Sequence, residues 1–538
     1  MRSRGRFVVT AALPYANGEL HLGHIASTYL PSDIFVRYLR LKGHEVAYIC
    51  ATDDFGTPIL VKAEKEGKAP EEYVRYWYQR DAEDFEALGI SFDLFHMTSS
   101  EECVGFAQYV FKRLHENGYI YKKRIEQFYC EYDKKFLPDR YVMGTCPYCG
   151  AKDQYGDGCE VCGRVYKPTD LIDPRCAICG RRPVLKETEH YYFRLSSLAS
   201  ELKGWLEGNE KLQPDVKKYV LRWIEEGLED WDITRDISWG VPIPLEEASG
   251  KVLYGWFDNH LCYISSTLLY LERRGIDGKE FWNSSTIYHF IGKDIVYHHY
   301  LLLPAIRIAM GREYKLPDYM PTRGHLLLEG RKFSKSKGWY VSLRDFLNEY
   351  DPDYLRFYLA SITPSSQNDV NFEWNGFKAK INNELVANIG NFVYRALTFV
   401  KREGGVVPEP DGFEELDEAL VSDLKNSPKL IGDLIERNEL DKALKEIEAL
   451  SSKCNGYFQH KEPWRKRRGY KTCLYLSINA VRSLAILLFP YIPFSSERIW
   501  RMLDLEGDVA SQSWDDAGRL GVKPGHRIGE VSIPFEKV

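Results

Sequence analysis

The stretch RFVVTAALPYANGELHLGHIASTYLPSDIFVRYLRLKGHEVAYIC, residues 6–50, decides the fold. Arg6 to Ala12 is an apolar run that reads as a buried strand, and Pro14 to Gly18 reads as a turn. Past His21 a helix opens, with Ile25, Leu30, Ile34, Phe35 and Leu39 at roughly helical spacing and a stop near Gly43. Val46 to Cys50 is a second apolar strand, so the whole is a βαβ unit. A helix that begins just past the carboxyl end of a parallel strand turns free N–H groups and its positive dipole end toward an anion, which suits a nucleotide's phosphates. His21 and His24 on its first turn can donate to phosphate oxygens, and Gly23 between them leaves the backbone open to a flat base. Taken alone, these residues would serve equally as capping or surface histidines.

A second signature, Lys332-Phe333-Ser334-Lys335-Ser336 with Gly338 close behind, stands about three hundred residues downstream. Its two lysines and two serines read as a cationic loop able to close over a triphosphate and stabilise charge on departing pyrophosphate. By itself it would be a solvated basic turn. The order and separation of the two signatures make coincidence unlikely.

The chain of 538 residues exceeds a single hydrophobic core, so three or four domains are expected. With 44% hydrophobic and 28% charged residues it has the composition of a soluble protein. No stretch reads as a membrane span and Met1 to Arg6 lacks a signal peptide's apolar core, so a cytoplasmic location is expected. A net charge of −6 argues against an undifferentiated nucleic-acid binder. Any RNA contact must come from local basic surface, for which Lys122-Lys123-Arg124 and Arg465 to Arg468 are the candidates, against the plainer reading of solvated faces.

Seven of the twelve cysteines fall between 130 and 179. Cys146 with Cys149, Cys159 with Cys162 and Cys176 with Cys179 are each spaced i, i+3 and each pair is followed by glycine, which suits zinc knuckles. The first two pairs complete one tetrahedral thiolate site. The third pair needs partners, and Cys130 with Asp133 would supply them as a possible second site with three sulfurs and one carboxylate. Both sites would be closed and structural. Farther on, Ser285 to Ile291 is a buried-strand pattern ending at Gly292-Lys293-Asp294, and Asp351-Pro352 starts a helical connector. From about residue 380 amphipathic helices such as Leu440 to Leu450 dominate, with few strand signals until the extreme C-terminus.

Five separated motifs carry a resemblance: Ala12 to Gly18 before His21 to His24, Gly144 to Cys149, Ile291 to Ile295, Lys332 to Ser336, and His460 to Trp464. Over essentially its full length the chain resembles the class I aminoacyl-tRNA synthetases, most closely the zinc-containing methionyl-tRNA synthetase family of archaea and bacteria. The resemblance implies an α/β fold: a doubly wound Rossmann-type parallel sheet with an inserted zinc-knuckle domain and a C-terminal α-helical bundle. The sheet's halves would occupy 1–117 and 231–325, the zinc insertion 118–230, the lysine loop and connector 326–380, and the anticodon-binding bundle 381–538. His21 and His24 would bind the ATP phosphates and stabilise charge at the α-phosphorus. Lys332 and Lys335 would hold the β- and γ-phosphates, accompanied by Mg²⁺, and Gly23, Gly292 and Asp294 would contact the nucleoside. No covalent nucleophile is needed. Leu13, Tyr15, Asp53, Trp256, Tyr263 and His299 would bind the amino acid, with Asp53 on the ammonium and aromatics around a thioether. Asn391 and Arg395, one helical turn apart, and Trp464 would read the anticodon. The implied partners are ATP, methionine and both the acceptor end and anticodon of tRNA, with no membrane. A monomer is expected, because no added C-terminal module follows the bundle.

The departures from the family pattern cluster around the amino acid. Asp53-Asp54-Phe55-Gly56 stands for Asp-Glu-His-Gly, and Asp258-Asn259-His260-Leu261-Cys262-Tyr263 for Asp-Ala-Pro-Ile-Gly-Tyr. His298 replaces an apolar aromatic, Leu303 a tryptophan and Phe333 a methionine. Added imidazoles at 260 and 298 in a thioether pocket would cost about 1–3 kcal/mol each if buried without partners. Three readings are open: a methionine–tRNA ligase with a repacked pocket, a paralogue activating a different amino acid, and a tRNA-binding protein that has lost activation. Intact His21, His24 and Lys335 speak against the third.

Overall fold

Strand β1 (Arg6–Ala11) and strand β2 (Glu45–Thr52) pair in parallel from Arg6 opposite Glu45 to Thr10 opposite Ile49. The computed structural model describes residues 4–538, apart from Asp157, Glu160, Gly163, Val165, Ser249 and 335–337. The connecting helix runs through Leu22–His24 and Leu30–Leu41 with a π-helical turn, Ile25–Tyr29, between them. Gly43, at φ 78°, takes the left-handed conformation that turns the chain back toward β2.

β1 also pairs in parallel with Thr286–Gly292, and the complete sheet runs Thr322–Arg323, Thr286–Gly292, β1, β2, β3 (Leu94–Met97). Val8 and Val9 are both fully buried yet belong to different hydrophobic cores, one on each face of the sheet. A strand covered on both faces has no polar alternation, which is why β1 is a continuous apolar run.

The insertion is a long antiparallel ladder between Ile120–Cys130 and Val184–Phe193, in register from Ile120 opposite Phe193 to Tyr129 opposite Val184. Beyond it Val142–Thr145 pairs with Gln154–Tyr155 and Ile172–Cys176, and this small sheet frames the cysteine pairs.

The C-terminal part is helical: Asn391–Arg402, Glu415–Glu436, Leu440–Lys461, Tyr470–Leu488 and Pro493–Leu503. Contrary to the sequence reading, Tyr470–Leu488 is long and apolar enough to cross a membrane, but nearly all of it is buried as the central helix of the bundle. The strand signals at the extreme C-terminus also fail, because Gly525, Gly529 and Pro534 interrupt them. That segment packs irregularly on the helices through Ile528 and Phe535, with an isolated bridge from Arg527 to Val406.

One buried ion pair joins these parts. Arg356, in the connector helix Pro352–Ile362, donates to Asp33 Oδ2 at 2.7 Å and to the carbonyls of Pro490 and Tyr491 at 2.8 and 2.9 Å. Both side chains are fully buried. Burial alone would raise the Asp33 carboxyl, but Arg37 and Arg356 hold it well below the usual carboxylate range. Its contribution to stability is therefore fully present above the ordinary carboxylate range and is lost as pH falls below that range toward the lowered folded-state value. Arg356→Met is expected to destabilise the fold by about 3–5 kcal/mol, because it strands the carbonyls and half of the Asp33 partnership. A guanidinium midpoint unchanged from the parent would contradict this.

Candidate active site

The carboxyl ends of β1, β2 and Thr286–Gly292 open into a cavity of about 480 Å³. Leu13, Tyr15, His21, Gly23, His24, Asp53, Trp256, Tyr263, Gly292, Asp294, His299 and Lys332 all line it. Thus the nucleotide and amino-acid residues named from sequence are brought together, save Lys335, which lies outside the described residues.

On the nucleotide side the rings of His21 and His24 stack at 3.6 Å between centroids, and Phe333 covers the other face of His21 at 4.8 Å. The lysine segment therefore reaches back to the first helical turn, where Leu22 N–H also bonds Val341 O at 3.3 Å. A Cβ on Gly23 would sit 3.0 Å from the His21 ring and 3.4 Å from Phe333, so glycine is what permits this stack. At Gly292 a Cβ would meet Asp294 Oδ1 at 2.6 Å. Asp294 Oδ1 lies 3.3 Å from Nε2 of His325, a cavity residue that sequence reading missed and that no motif marks.

On the amino-acid side Asp53 follows β2 and is stitched to the turn after β1, its N–H donating to Pro14 O at 2.8 Å and its carbonyl accepting from Ala16 N–H at 3.0 Å. Burial pushes the Asp53 carboxyl up to about 8, against a hydrogen bond from Asn259 and with help from the charge of Asp54. His299 Nδ1 lies 3.1 Å from Ile295 O and its Nε2 lies 3.1 Å from the Tyr263 hydroxyl. Burial pushes that imidazole down to about 4, so it is neutral at pH 7. The neutral tautomer that fits donates from Nδ1 to the carbonyl and accepts the tyrosine O–H at Nε2.

The two imidazoles expected inside the thioether pocket are not on its wall. His298 lies flat against Trp256, with centroids 3.7 Å apart and planes within 10°, and it is Trp256 that faces the cavity. The segment His298–Leu302 is π-helical, and it sends His299 to Tyr263 while His298 backs the indole. His260 is buried one layer deeper, in the short helical turn Asn259–Leu261.

Among the described residues two groups can hold a metal ion: Cys146, Cys149, Cys159, Cys162 and Cys130, Asp133, Cys176, Cys179. In the first, Cys146 to Cys162 is 3.9 Å and Cys149 to Cys159 is 3.6 Å, close to the spacing of about 3.8 Å that sulfurs take around one tetrahedral zinc. In the second, Asp133 Oδ2 lies 3.0 Å from Cys130 Sγ and 3.1 Å from Cys176 Sγ. Backbone N–H groups of Tyr148, Cys162, Ile178 and Asp133 each point at a sulfur from 3.4 Å, as metal-bound thiolates require.

In the bundle Arg395 lies over the rings of Phe458 and Trp464, at 5.0 and 5.8 Å, and donates to Gln459 at 3.1 Å. Trp464 keeps 38% of its surface exposed, and Asn391 is exposed one turn earlier beside Asn455. The basic run after it is partly neutralised, since Arg465 pairs with Glu462 and Lys466 with Glu403. The exposed Lys122 and Lys123 lie over the rings of Tyr191 and Tyr192 on the insertion's ladder.

A parallel nucleotide-binding sheet with this paired histidine turn, lysine segment and helical bundle defines a class I aminoacyl-tRNA synthetase. Residues 7–397 match the family model described as tRNA synthetases class I (M), and residues 407–538 match that of the anticodon binding domain of methionyl tRNA ligase. The methionine–tRNA ligase of Pyrococcus abyssi is 44% identical over 99% of this chain and 76% of its own length. That of Methanopyrus kandleri is 43% identical over 95% of this chain and 77% of its own. A Mycobacterium tuberculosis methionyl-tRNA synthetase solved with methionyl-adenylate has the same fold, with a TM-score of 0.82 at 24% identity, covering 99% of this chain and 100% of that one. The chain belongs to the methionyl-tRNA synthetase family.

Elemental analysis of the purified protein is expected to find two metal ions per chain, one for each ligand group. Cys146→Ser should remove one and Asp133→Ala should weaken the other. A metal content of one that Asp133→Ala leaves unchanged would rule out the carboxylate site.

Proposed function

We propose that this cavity makes the protein a methionine–tRNA ligase, which activates methionine with ATP and transfers it to the 3′ end of its tRNA. The observation that carries this is the convergence, on one cavity, of the histidine turn, the lysine segment and a buried carboxylate, in a chain 44% identical to methionine–tRNA ligases along nearly its whole length. The methionine carboxylate attacks the α-phosphorus of ATP, the bond to the β-phosphate oxygen breaks, and pyrophosphate leaves. A ribose hydroxyl of the terminal adenosine of tRNA then attacks the acyl carbon and AMP departs.

His21 and His24 donate to the α-phosphate as charge builds there, and the Phe333 stack holds their rings in place. Lys332 and Lys335 bind the outer phosphates. Gly23, Gly292 and Asp294 face the nucleoside. Mg²⁺ bound with ATP would neutralise part of the charge on the leaving pyrophosphate. Asp53 pairs with the substrate ammonium, while Leu13, Tyr15, Trp256, Tyr263 and His299 enclose the thioether. Two Zn²⁺ ions in the cysteine groups would hold the tip of the insertion rigid, in closed sites that take no part in the chemistry. Arg395 and Trp464 offer a guanidinium edge and a stacking face to unpaired anticodon bases, with Asn391 beside them. The division into 1–117, 118–230, 231–325, 326–380 and 381–538 assigns chemistry, acceptor-end contact and anticodon reading to separate bodies of a cytoplasmic enzyme.

Methionine-dependent exchange of pyrophosphate into ATP tests the reading. Exchange with methionine, and none with other amino acids, is expected, and His24→Ala should slow it by roughly 10²–10³-fold while metal content stays the same. Exchange with a different amino acid alone would overturn the assignment. Burial pushes the Asp53 carboxyl up to about 8, and it must be charged to pair with an ammonium, so KM for methionine should fall as pH rises through that value. Asp53→Asn should flatten this profile; a profile unchanged in that variant would contradict the role of Asp53.

A further inference from the structure

Asn259 lines the cavity beside Asp53 and is 5% exposed, against 2% for Asp53 itself. Its Nδ2 donates to Asp53 Oδ2 at 3.3 Å. In the ionised form that pairs with an ammonium, Asp53 offers only acceptors, and this contact then sets the amide with nitrogen toward Asp53 and Oδ1 turned away from it. Asn259 Oδ1 and Asp53 Oδ1 are both buried and find no protein partner among the described residues. The Asp53 carboxyl draws on Asn259 and on the Phe55 backbone N–H, so the acceptor left wholly without a donor beside it is the amide oxygen of Asn259. In a site of this burial such an acceptor costs free energy until a donor reaches it.

An ammonium group matches that arrangement, because it carries three N–H donors and no acceptor. A thioether does not: sulfur is at most a weak acceptor and gives the amide carbonyl nothing. Asp258, the residue before Asn259, is also buried, and burial together with the charge of Asp53 holds its carboxyl well above the usual carboxylate range, toward the neutral acid. We propose that Asn259 is the second arm of the ammonium subsite, its amide N–H₂ steadying Asp53 and its Oδ1 accepting directly from the ammonium of the amino-acid substrate. This rests on the reading of Asp53 given above and adds to it a residue that discriminates for a charged amine. The carboxylate supplies charge and the neutral amide supplies direction, so the ammonium is held by two groups at an angle rather than by one on a free rotor.

The test compares methionine with the analogue in which hydrogen replaces the amino group, in wild-type protein, Asn259→Ala and Asn259→Ser. KM for methionine in pyrophosphate exchange and the inhibition constant of the deaminated analogue are read together. Asn259→Ala is expected to raise KM for methionine by about tenfold or more, the worth of a hydrogen bond to a charged group. The analogue's inhibition constant and the KM for ATP should stay within about twofold, because neither ligand uses the missing acceptor. Asn259→Ser, which restores a smaller acceptor, should recover part of the loss. A parallel rise for methionine and the analogue would overturn the proposal and make Asn259 a packing residue. Unchanged values for both would overturn it as well, since no contact would then exist. Wild-type protein without methionine-dependent exchange would sink the ligase reading and this proposal with it, whereas full exchange retained in Asn259→Ala sinks the proposal alone.

Discussion

Strand β1 is hydrogen-bonded on both edges, to β2 on one side and to Thr286–Gly292 on the other, and the position of every site residue depends on that adjacency. The chain leaves β1 toward β2 and β3, then returns through the insertion to pair on β1's opposite edge. At such a reversal the loops after two neighbouring strands part, and a crevice opens beyond their carboxyl ends. His21, Asp53 and Asp294 each stand just beyond one of the three strands that meet there. None could reach the others if Phe7 paired elsewhere than opposite Thr286 and Val46. The long insertion does not disturb this, because loop closure costs little more for a long loop than for a short one, and its own ladder supplies a separate framework.

The helical irregularities fall where side chains have to be aimed. π-helical segments occupy Ile25–Tyr29, just after His24, His298–Leu302, which carries His299, and Ile381–Gly390, just before Asn391. A π-helical turn widens the helix by one residue and rotates the turns on its C-terminal side relative to those on its N-terminal side. For the first of them, the N-terminal turn keeps His21 and His24 stacked, while Leu30 and Ile34 still meet the sheet's core. For the second, adjacent histidines take unrelated partners, the tyrosine hydroxyl for one and the indole face for the other.

The sequence makes legible whatever is local. β1 and β2 are read from apolar runs, and the metal groups from i, i+3 cysteines, because chelation by a knuckle is a property of a few consecutive residues. Leu440–Lys461 is read from its apolar stripe. Features beyond reach depend on elements meeting in space. Phe333 reads as a neutral replacement in the lysine loop, and its stack on His21 exists only because that loop bonds back to Leu22. His325 reaches Asp294 from a different strand connection and leaves no spacing signal. Tyr470–Leu488 does not stand out among the bundle's apolar patterns, and it becomes the bundle's centre because other helices surround it. The π turns are equally silent, since the apolar spacing across Ile25 to Leu30 accommodates a normal helix as well.

The departures around the amino acid show why residue letters overstate polarity. His298 reads as a charge-bearing group where the family has an apolar ring, yet burial pushes its pKa down to about 3, so it is neutral throughout the range in which the enzyme would work. Flat against Trp256, it presents a planar face as an aromatic hydrocarbon would, and the indole keeps the apolar contact with the cavity. Its Nδ1 has no protein partner among the described residues, so the substitution costs something on the order of 1–3 kcal/mol before the stacking contact offsets part of it. That cost falls on the layer behind the wall and leaves the wall itself unchanged. Asn259 is the opposite case: the residue itself lines the cavity, next to Asp53, to which its amide donates. The two polar replacements around this cavity therefore have different meanings. The difference is whether the residue lines the cavity, as Asn259 does, or stands behind a residue that does, as His298 does.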